Sequence, residues 1–260
     1  GTFLQSDWRL FDHINLLIGS RVDKHSLLDK VVVSPRISLL YKLQRNSQLR
    51  MSYSTGFRAP QAFDADLHIA FAGGGISRIE LADDLIEERS KSLSASYNYD
   101  KVLSNYVYGL TVEGFYTRLD NSFFQDPFGS DEYGDVFIKR NGEGATVKGL
   151  TIEFRANFYQ NIQMESGITL QQSLYDESVS YSDELASRKE FLRTPSKYGY
   201  ATFNYKPSKR FVFSANLVYT GKMDLIHFGG TSEQKNDEFK TSEVFNALGL
   251  KTTYIQKFDR

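Results

Sequence analysis

The chain has 260 residues, with 31 Lys+Arg against 32 Asp+Glu, 40% hydrophobic and 14% aromatic residues, and no Cys. A formal charge of −1 lacks the surplus of Lys and Arg on which non-specific nucleic-acid binding rests, and zero cysteines exclude disulfides, zinc-thiolate sites and thiol catalysis. No stretch approaches the roughly 18 consecutive apolar residues of a membrane-spanning helix, and Gly1-Thr2-Phe3-Leu4-Gln5 does not read as a signal peptide, whereas a membrane β-barrel stays open because its strands place apolar residues only at alternate positions.

Strict alternation is the dominant pattern, and helical period is nowhere sustained. A weak strand candidate covers residues 8–22. Clearer ones follow at 37–43, 49–57, 93–99, 106–117, 150–158, 162–170, 199–205 and 211–219, and a second weak one lies at 245–255. The split is sharpest at 150–158, where Leu150, Ile152, Phe154, Ala156 and Phe158 stand opposite Thr151, Glu153, Arg155 and Asn157. These ten segments predict an all-β chain, an antiparallel up-and-down meander of about ten strands.

The connections alternate in length. Short ones fall at 44–47, 100–104, 159–161 and 207–209, and long polar ones at 59–86, 125–135, 176–190 and 229–243. Short turns therefore share one end of the sheet and long loops the other, an asymmetry common in outer-membrane barrels and rare in compact soluble domains. Aromatic residues cluster beside the short turns: Tyr97, Tyr99, Tyr106 and Tyr108 at one, Phe158 and Tyr159 at the next, Phe203, Tyr205, Phe211 and Phe213 at the third. Rings at strand ends suit an interfacial girdle, with Leu110, Val112, Ile152, Ala215 and Leu217 in the hydrocarbon between. The opposite face, with Arg50, Ser52, Glu113, Glu153, Arg155 and Glu165, suits a wet interior. A soluble β-sandwich that turns this face to bulk water remains the alternative.

Several stretches carry a family resemblance, Ser34-Pro35-Arg36-Ile37-Ser38 among them. Leu49 to Pro60 ends in Gly56-Phe57-Arg58-Ala59-Pro60, the returning strand opens with Leu85-Ile86-Glu87-Glu88-Arg89-Ser90, and Asn141-Gly142 precedes Gly149-Leu150-Thr151-Ile152-Glu153. With Ile18-Gly19-Ser20-Arg21-Val22-Asp23-Lys24-His25, the set resembles TonB-dependent outer-membrane receptors, ligand-gated barrels closed by an N-terminal plug. The resemblance implies a 22-stranded barrel, of which residues 1–260 would be a partial barrel domain from the C-terminal half, without plug, TonB box or last strand. It also implies the outer membrane of a Gram-negative bacterium, contact with outer-membrane lipid, energy from the TonB complex through the plug, and a small-molecule ligand such as a siderophore, haem or cobalamin. Cut from its barrel, such a piece is expected to be a curved open sheet with two exposed edges and little stability of its own.

In that reading the long loops face outside and supply the ligand contacts. Arg58, Gln61, His68, Tyr133, Tyr181 and His227 are the candidates. Haem-uptake members of the family carry Phe-Arg-Ala-Pro, a loop His and Asn-Pro-Asn-Leu, which makes His68 a candidate axial ligand. Here Ala82-Asp83-Asp84-Leu85 stands in the last place, and a solvated loop histidine is the plainer reading. His13, His25 and His227 share no ligand spacing with it, so no metal site and no cofactor are expected. Gly73-Gly74-Gly75 precedes Ile76 and reads as a loop tip, not a phosphate cradle. The acidic group Asp126, Asp131, Glu132 and Asp135 fails the EF-hand order and reads as hydrated. No spacing fixes a nucleophile, a base and an oxyanion donor together, so no enzyme is expected. The function expected is uptake of a scarce nutrient; the rivals are a soluble ligand- or carbohydrate-binding module and a passive porin.

Overall fold

The computed structural model describes residues 1–26, 28, 30–60, 78–130, 135–182, 184–227, 229 and 234–256. In chain order the strands are β1 (Thr2–Phe11), β2 (Ile14–Asp23), β3 (Val32–Gln44), β4 (Ser47–Arg58), β5 (Arg78–Leu81), β6 (Glu88–Val102), β7 (Tyr106–Asp120), β8 (Phe123–Ser130), β9 (Asp135–Asn141), β10 (Gly144–Phe158), β11 (Ile162–Val179), β12 (Arg188–Glu190), β13 (Lys197–Tyr205), β14 (Phe211–Thr220), β15 (Asp224–His227), β16 (Glu238–Thr241) and β17 (Phe245–Tyr254). Eleven of them form an antiparallel wall in the order β1-β2-β3-β4-β6-β7-β10-β11-β13-β14-β17, with β12 laid on β11. The wall has one strand more than the ten segments read from alternation, because residues 8–22 hold a turn at Asp12-His13 that divides them between β1 and β2. The long connections also carry structure of their own. β5, β9 and β8 make a small sheet, β15 and β16 a hairpin, and both stand at the long-loop end.

Residues opposed across an antiparallel pair point to the same face, so the register assigns every side chain. Leu110 faces Tyr99 and Phe154, Ile152 faces Val112 and Ile168, and Leu217 faces Ala201 and Leu248. One continuous apolar face results. Leu110, Ile152 and Leu217 are 38%, 40% and 39% exposed, and every extensively touching pair of elements is a hydrogen-bonded strand pair. Among the described residues no second β-layer lies over these side chains, as one would in a sandwich. The buried apolar residues among those described are Leu28, Val32, Ala59, Phe123, Val136, Ala145 and Ala156, too few and too scattered to be the core of a globule this size.

At the short-turn end the aromatic residues meet as expected. Tyr106 packs edge-on against Phe158 at 5.9 Å and against Tyr159 at 5.5 Å, Tyr99 lies 6.4 Å from Tyr108, and Phe211 lies 5.0 Å from Tyr254. The opposite face is knit by hydrogen bonds. Ser38 meets Ser52, Ser92 meets Thr117 and Thr151 meets Thr169, each at 2.9 Å. Arg155 donates to Asp100 at 2.7 Å and to Thr111 at 2.8 Å, while the Tyr200 hydroxyl donates to Glu153 at 3.1 Å. Arg155 and Glu153, charges at mid-strand, thereby find partners within the sheet.

Candidate functional site

Two side-chain clusters organise the long-loop end. The first ties the root of the connection between β4 and β6 to the small sheet. Arg58, the last residue of β4, is paired in register with Glu88, the first of β6, and its Nη2 lies 3.3 Å from Glu88 Oε2. The same carboxylate oxygen accepts the Phe123 N–H at 3.0 Å. The Phe123 ring lies between two cations, with the Arg58 guanidinium 4.9 Å and the Lys139 ammonium 5.0 Å from its centroid. Lys139 is only 2% exposed, so its contact with the ring is shielded from water. Asn141 completes the cluster. Its Oδ1 accepts the Ile86 N–H at 2.8 Å, and its Nδ2 donates to the carbonyls of Ile86 at 3.0 Å and Asn121 at 2.8 Å.

The second cluster clamps the connection between β11 and β13 to the one between β14 and β17. Tyr181 meets the Phe239 ring edge-on at 6.4 Å, and Arg188 stacks over the same ring at 3.8 Å while its Nη1 donates to Asp224 at 3.0 Å. Asp224 also accepts the Thr241 hydroxyl at 2.8 Å. Asp237 is bound by the Ser182 hydroxyl and by the Gly229 N–H at 2.7 Å, and its own N–H donates to Glu184 at 2.8 Å. Burial pushes the Tyr181 phenol up, with the nearby Tyr175 and Glu190 charges acting in the same direction. His227 lies at the edge of this cluster. The Lys240 ammonium, which can only donate, lies 2.9 Å from its Nδ1 and 2.7 Å from Glu238.

Of the ligand-contact candidates, Arg58 belongs to the first cluster and Tyr181 and His227 to the second; Gln61, His68 and Tyr133 lie outside the described residues. Asp126 pairs with Arg140 at 3.7 Å, Asp131 and Glu132 fall outside the described residues, and no group of three His, Cys, Asp or Glu among the described residues is placed to hold a metal ion. No helix among them is long and apolar enough to cross a membrane, which says nothing of strands.

A family model described as TonB dependent receptor-like, beta-barrel, matches residues 1–247. The chain belongs to that family. TonB-dependent receptors are receptors and transporters of Gram-negative outer membranes, not an enzyme family. Among solved structures, the siderophore receptor PirA from Acinetobacter baumannii aligns with 97% of this chain and 38% of its own, at 15% identity and a TM-score of 0.65. The FrpB iron transporter from Neisseria meningitidis aligns over 97% of this chain and 37% of its own, at 14% identity and 0.61. The ferric enterobactin receptor PfeA from Pseudomonas aeruginosa does so over 98% and 37%, at 17% identity and 0.65. At these identities the likeness is one of fold, and the chain spans under two-fifths of each of those three proteins. No curated protein sequence matches it.

In this TonB-dependent receptor barrel, the first cluster draws its residues from three of the stretches that carry the resemblance. Arg58 from the Gly-Phe-Arg-Ala-Pro end, Glu88 from the returning strand and Asn141 ahead of β10 meet at one place. Phe123 and Lys139, the cluster's buried residues, were not singled out from the sequence, since residues 125–135 read as a hydrated loop and hid the β8–β9 hairpin. The hint was Asn141 itself, a residue whose amide both donates and accepts, set just before a strand.

Proposed function

We propose that the chain is a wall segment of an outer-membrane receptor that captures a scarce small molecule at its long-loop end and imports it with energy supplied through TonB. The observation that carries this reading is the pair of faces on one sheet: an apolar face that no other part of the described chain covers, and a polar face on which Arg155 bonds Asp100 and Tyr200 bonds Glu153. That is the arrangement of a barrel wall between lipid and a wet lumen. A ferric siderophore is the first ligand to try, because the similar solved structures named above include siderophore and iron receptors. Haem and cobalamin are the next.

The contacts would come from the two loop clusters and from Gln61, His68 and Tyr133 in the connections they anchor. TonB would act on a plug elsewhere in the parent polypeptide, and residues 1–260 would contribute only barrel wall and loops. The test uses the full receptor. It is expected to partition with outer membranes and to need detergent for extraction, and energy-dependent uptake is expected to cease when the plug is excised. Extraction as a monodisperse protein without detergent would reject the reading. Titration with ferric siderophores, haem and cobalamin identifies the ligand, and an unchanged haem spectrum in His68→Ala would retire the axial-ligand role.

A further inference from the structure

The outward face carries a notch. At Gly114 an added Cβ would meet nothing within 4 Å, and the residues beside it in register are Ala95 on β6 and Leu150 on β10. A shallow, open groove of about 800 Å³ lies over this point, bordered by Leu93, Tyr116, Leu150 and Leu170. The outward face also carries cations on four strands, stepping along the register from Lys91 on β6 opposite Arg118 on β7, through Lys148 on β10 opposite Tyr116, to Lys197 on β13 opposite Leu170.

These four cations are not equivalent. Lys91 is bonded to Asp120 at 2.7 Å, and Arg118 grips Asp176 and also reaches Asp120 at 3.4 Å. Lys148 and Lys197 are exposed and make no ion pair or side-chain hydrogen bond among the described residues, and both line the groove, Lys148 opposite Gln172 and Lys197 opposite Leu170. They stand two strands and two residues apart, about 12 Å, so that one anionic group can be reached by both flexible stems. An apolar trough lined by two unneutralised lysines is complementary to an acyl chain that ends in phosphate.

We propose that this groove is a binding site for a phosphate-bearing lipid of the leaflet at the long-loop end, with an acyl chain over Gly114 and the phosphate on Lys148 and Lys197. The site rests on the apolar face meeting a bilayer, and it adds a lipid-specific contact on the outer surface, away from the loops that would take the transported ligand.

The experiment takes the full receptor in detergent, incubates it with diphosphoryl lipid A or with the same lipid stripped of phosphate, and reads bound lipid by native mass spectrometry. The phosphorylated form is expected to be retained in about tenfold excess, the scale two lysines facing an anionic headgroup provide. Lys148→Gln with Lys197→Gln should remove that excess, and Gly114→Leu should lower retention of both lipids by filling the trough. Lys251→Gln, on the opposite face of β17, should change nothing. Heat-modifiable gel mobility establishes that each variant is folded. An undiminished excess in the double lysine variant, or an equal loss in Lys251→Gln, overturns the site. A receptor that does not partition with outer membranes breaks the membrane reading beneath it, whereas one that partitions normally but keeps its lipid in the double variant breaks the site alone.

Discussion

Along β10, neighbouring residues live under opposite rules. Leu150, Ile152 and Phe154 are 39%, 40% and 42% exposed, touched by their cross-strand partners and by no covering layer. Thr151, Glu153 and Arg155, one step away, are each hydrogen-bonded to another strand of the wall. In water the first set would be costly and the second indifferent. Against hydrocarbon the first set costs nothing, while the second is needed to keep polar groups on the lumen side satisfied. A soluble sheet reverses this assignment, because its buried face excludes charge and its open face has no need for networks.

The contrast breaks most visibly by substitution at the centre of the apolar face. In the full receptor, Ile152→Arg is expected to lower unfolding stability in lipid vesicles by about 2–4 kcal/mol, the cost of a cation at the bilayer midplane. Thr151→Val, which removes only the bond to Thr169, should cost about 0.5–1.5 kcal/mol, and equal costs at the two sites would place both faces in the same medium. A second comparison sets the wall against the loop root. Asn141→Ala frees the half-exposed Ile86 N–H to water and should cost about 0.5–1.5 kcal/mol locally, read as faster hydrogen exchange at Ile86 while the amides of β10 keep their protection. Unchanged exchange at Ile86 would show that the first cluster does not hold the loop.

Smaller effects test the second cluster through pH. The Lys240 ammonium, hydrogen-bonded to Glu238, holds that carboxyl below its ordinary value. A folded value below the unfolded one means that the contribution is fully present above the unfolded value of about 4.3 and is lost as pH falls through the lowered one. Exchange protection of the β15–β16 hairpin should therefore persist at neutral pH and fade only in acid, and Glu238→Gln should remove that dependence. The smallest signal is optical. Tyr181 should stay protonated where exposed tyrosines ionise, near pH 10, so Tyr181→Phe should leave the absorbance titration there unchanged.

Much of the wall was legible because a two-residue period has one cause, a sheet with unlike faces. The weak segment 8–22 concealed two strands since its turn, Asp12-His13, has neither the Gly nor the Asn that usually marks a hairpin. The small sheets at the long-loop end were illegible for the opposite reason. Gly129, Pro127 and the acidic residues around them look like loop, yet β8 and β9 are held by buried Phe123 and Val136, and the register shifts between Pro127 and Gly129 to accommodate them. Arg58 and Glu88 were each visible as parts of motifs, but their pairing depends on register across a 29-residue connection, numbers 59–87, which no local pattern encodes. The lipid-side groove is likewise a product of three strands side by side, since Gly114, Ala95 and Leu150 are far apart in sequence.

The unequal ends of the wall also constrain how it is assembled. Turns such as Asp12-His13 and residues 159–161 present little polar backbone, whereas the opposite end carries two folded hairpins and their bonded charges, Arg188 with Asp224 among them. For a wall inserted in a bilayer from the short-turn side, it is the bulky end that must traverse the hydrocarbon. That passage has to be finished before neighbouring strands zip together, because a sealed wall leaves no gap for a charged hairpin to slip through. Biogenesis should therefore be slowest, and most dependent on assembly factors, at the β7–β10 and β14–β17 connections.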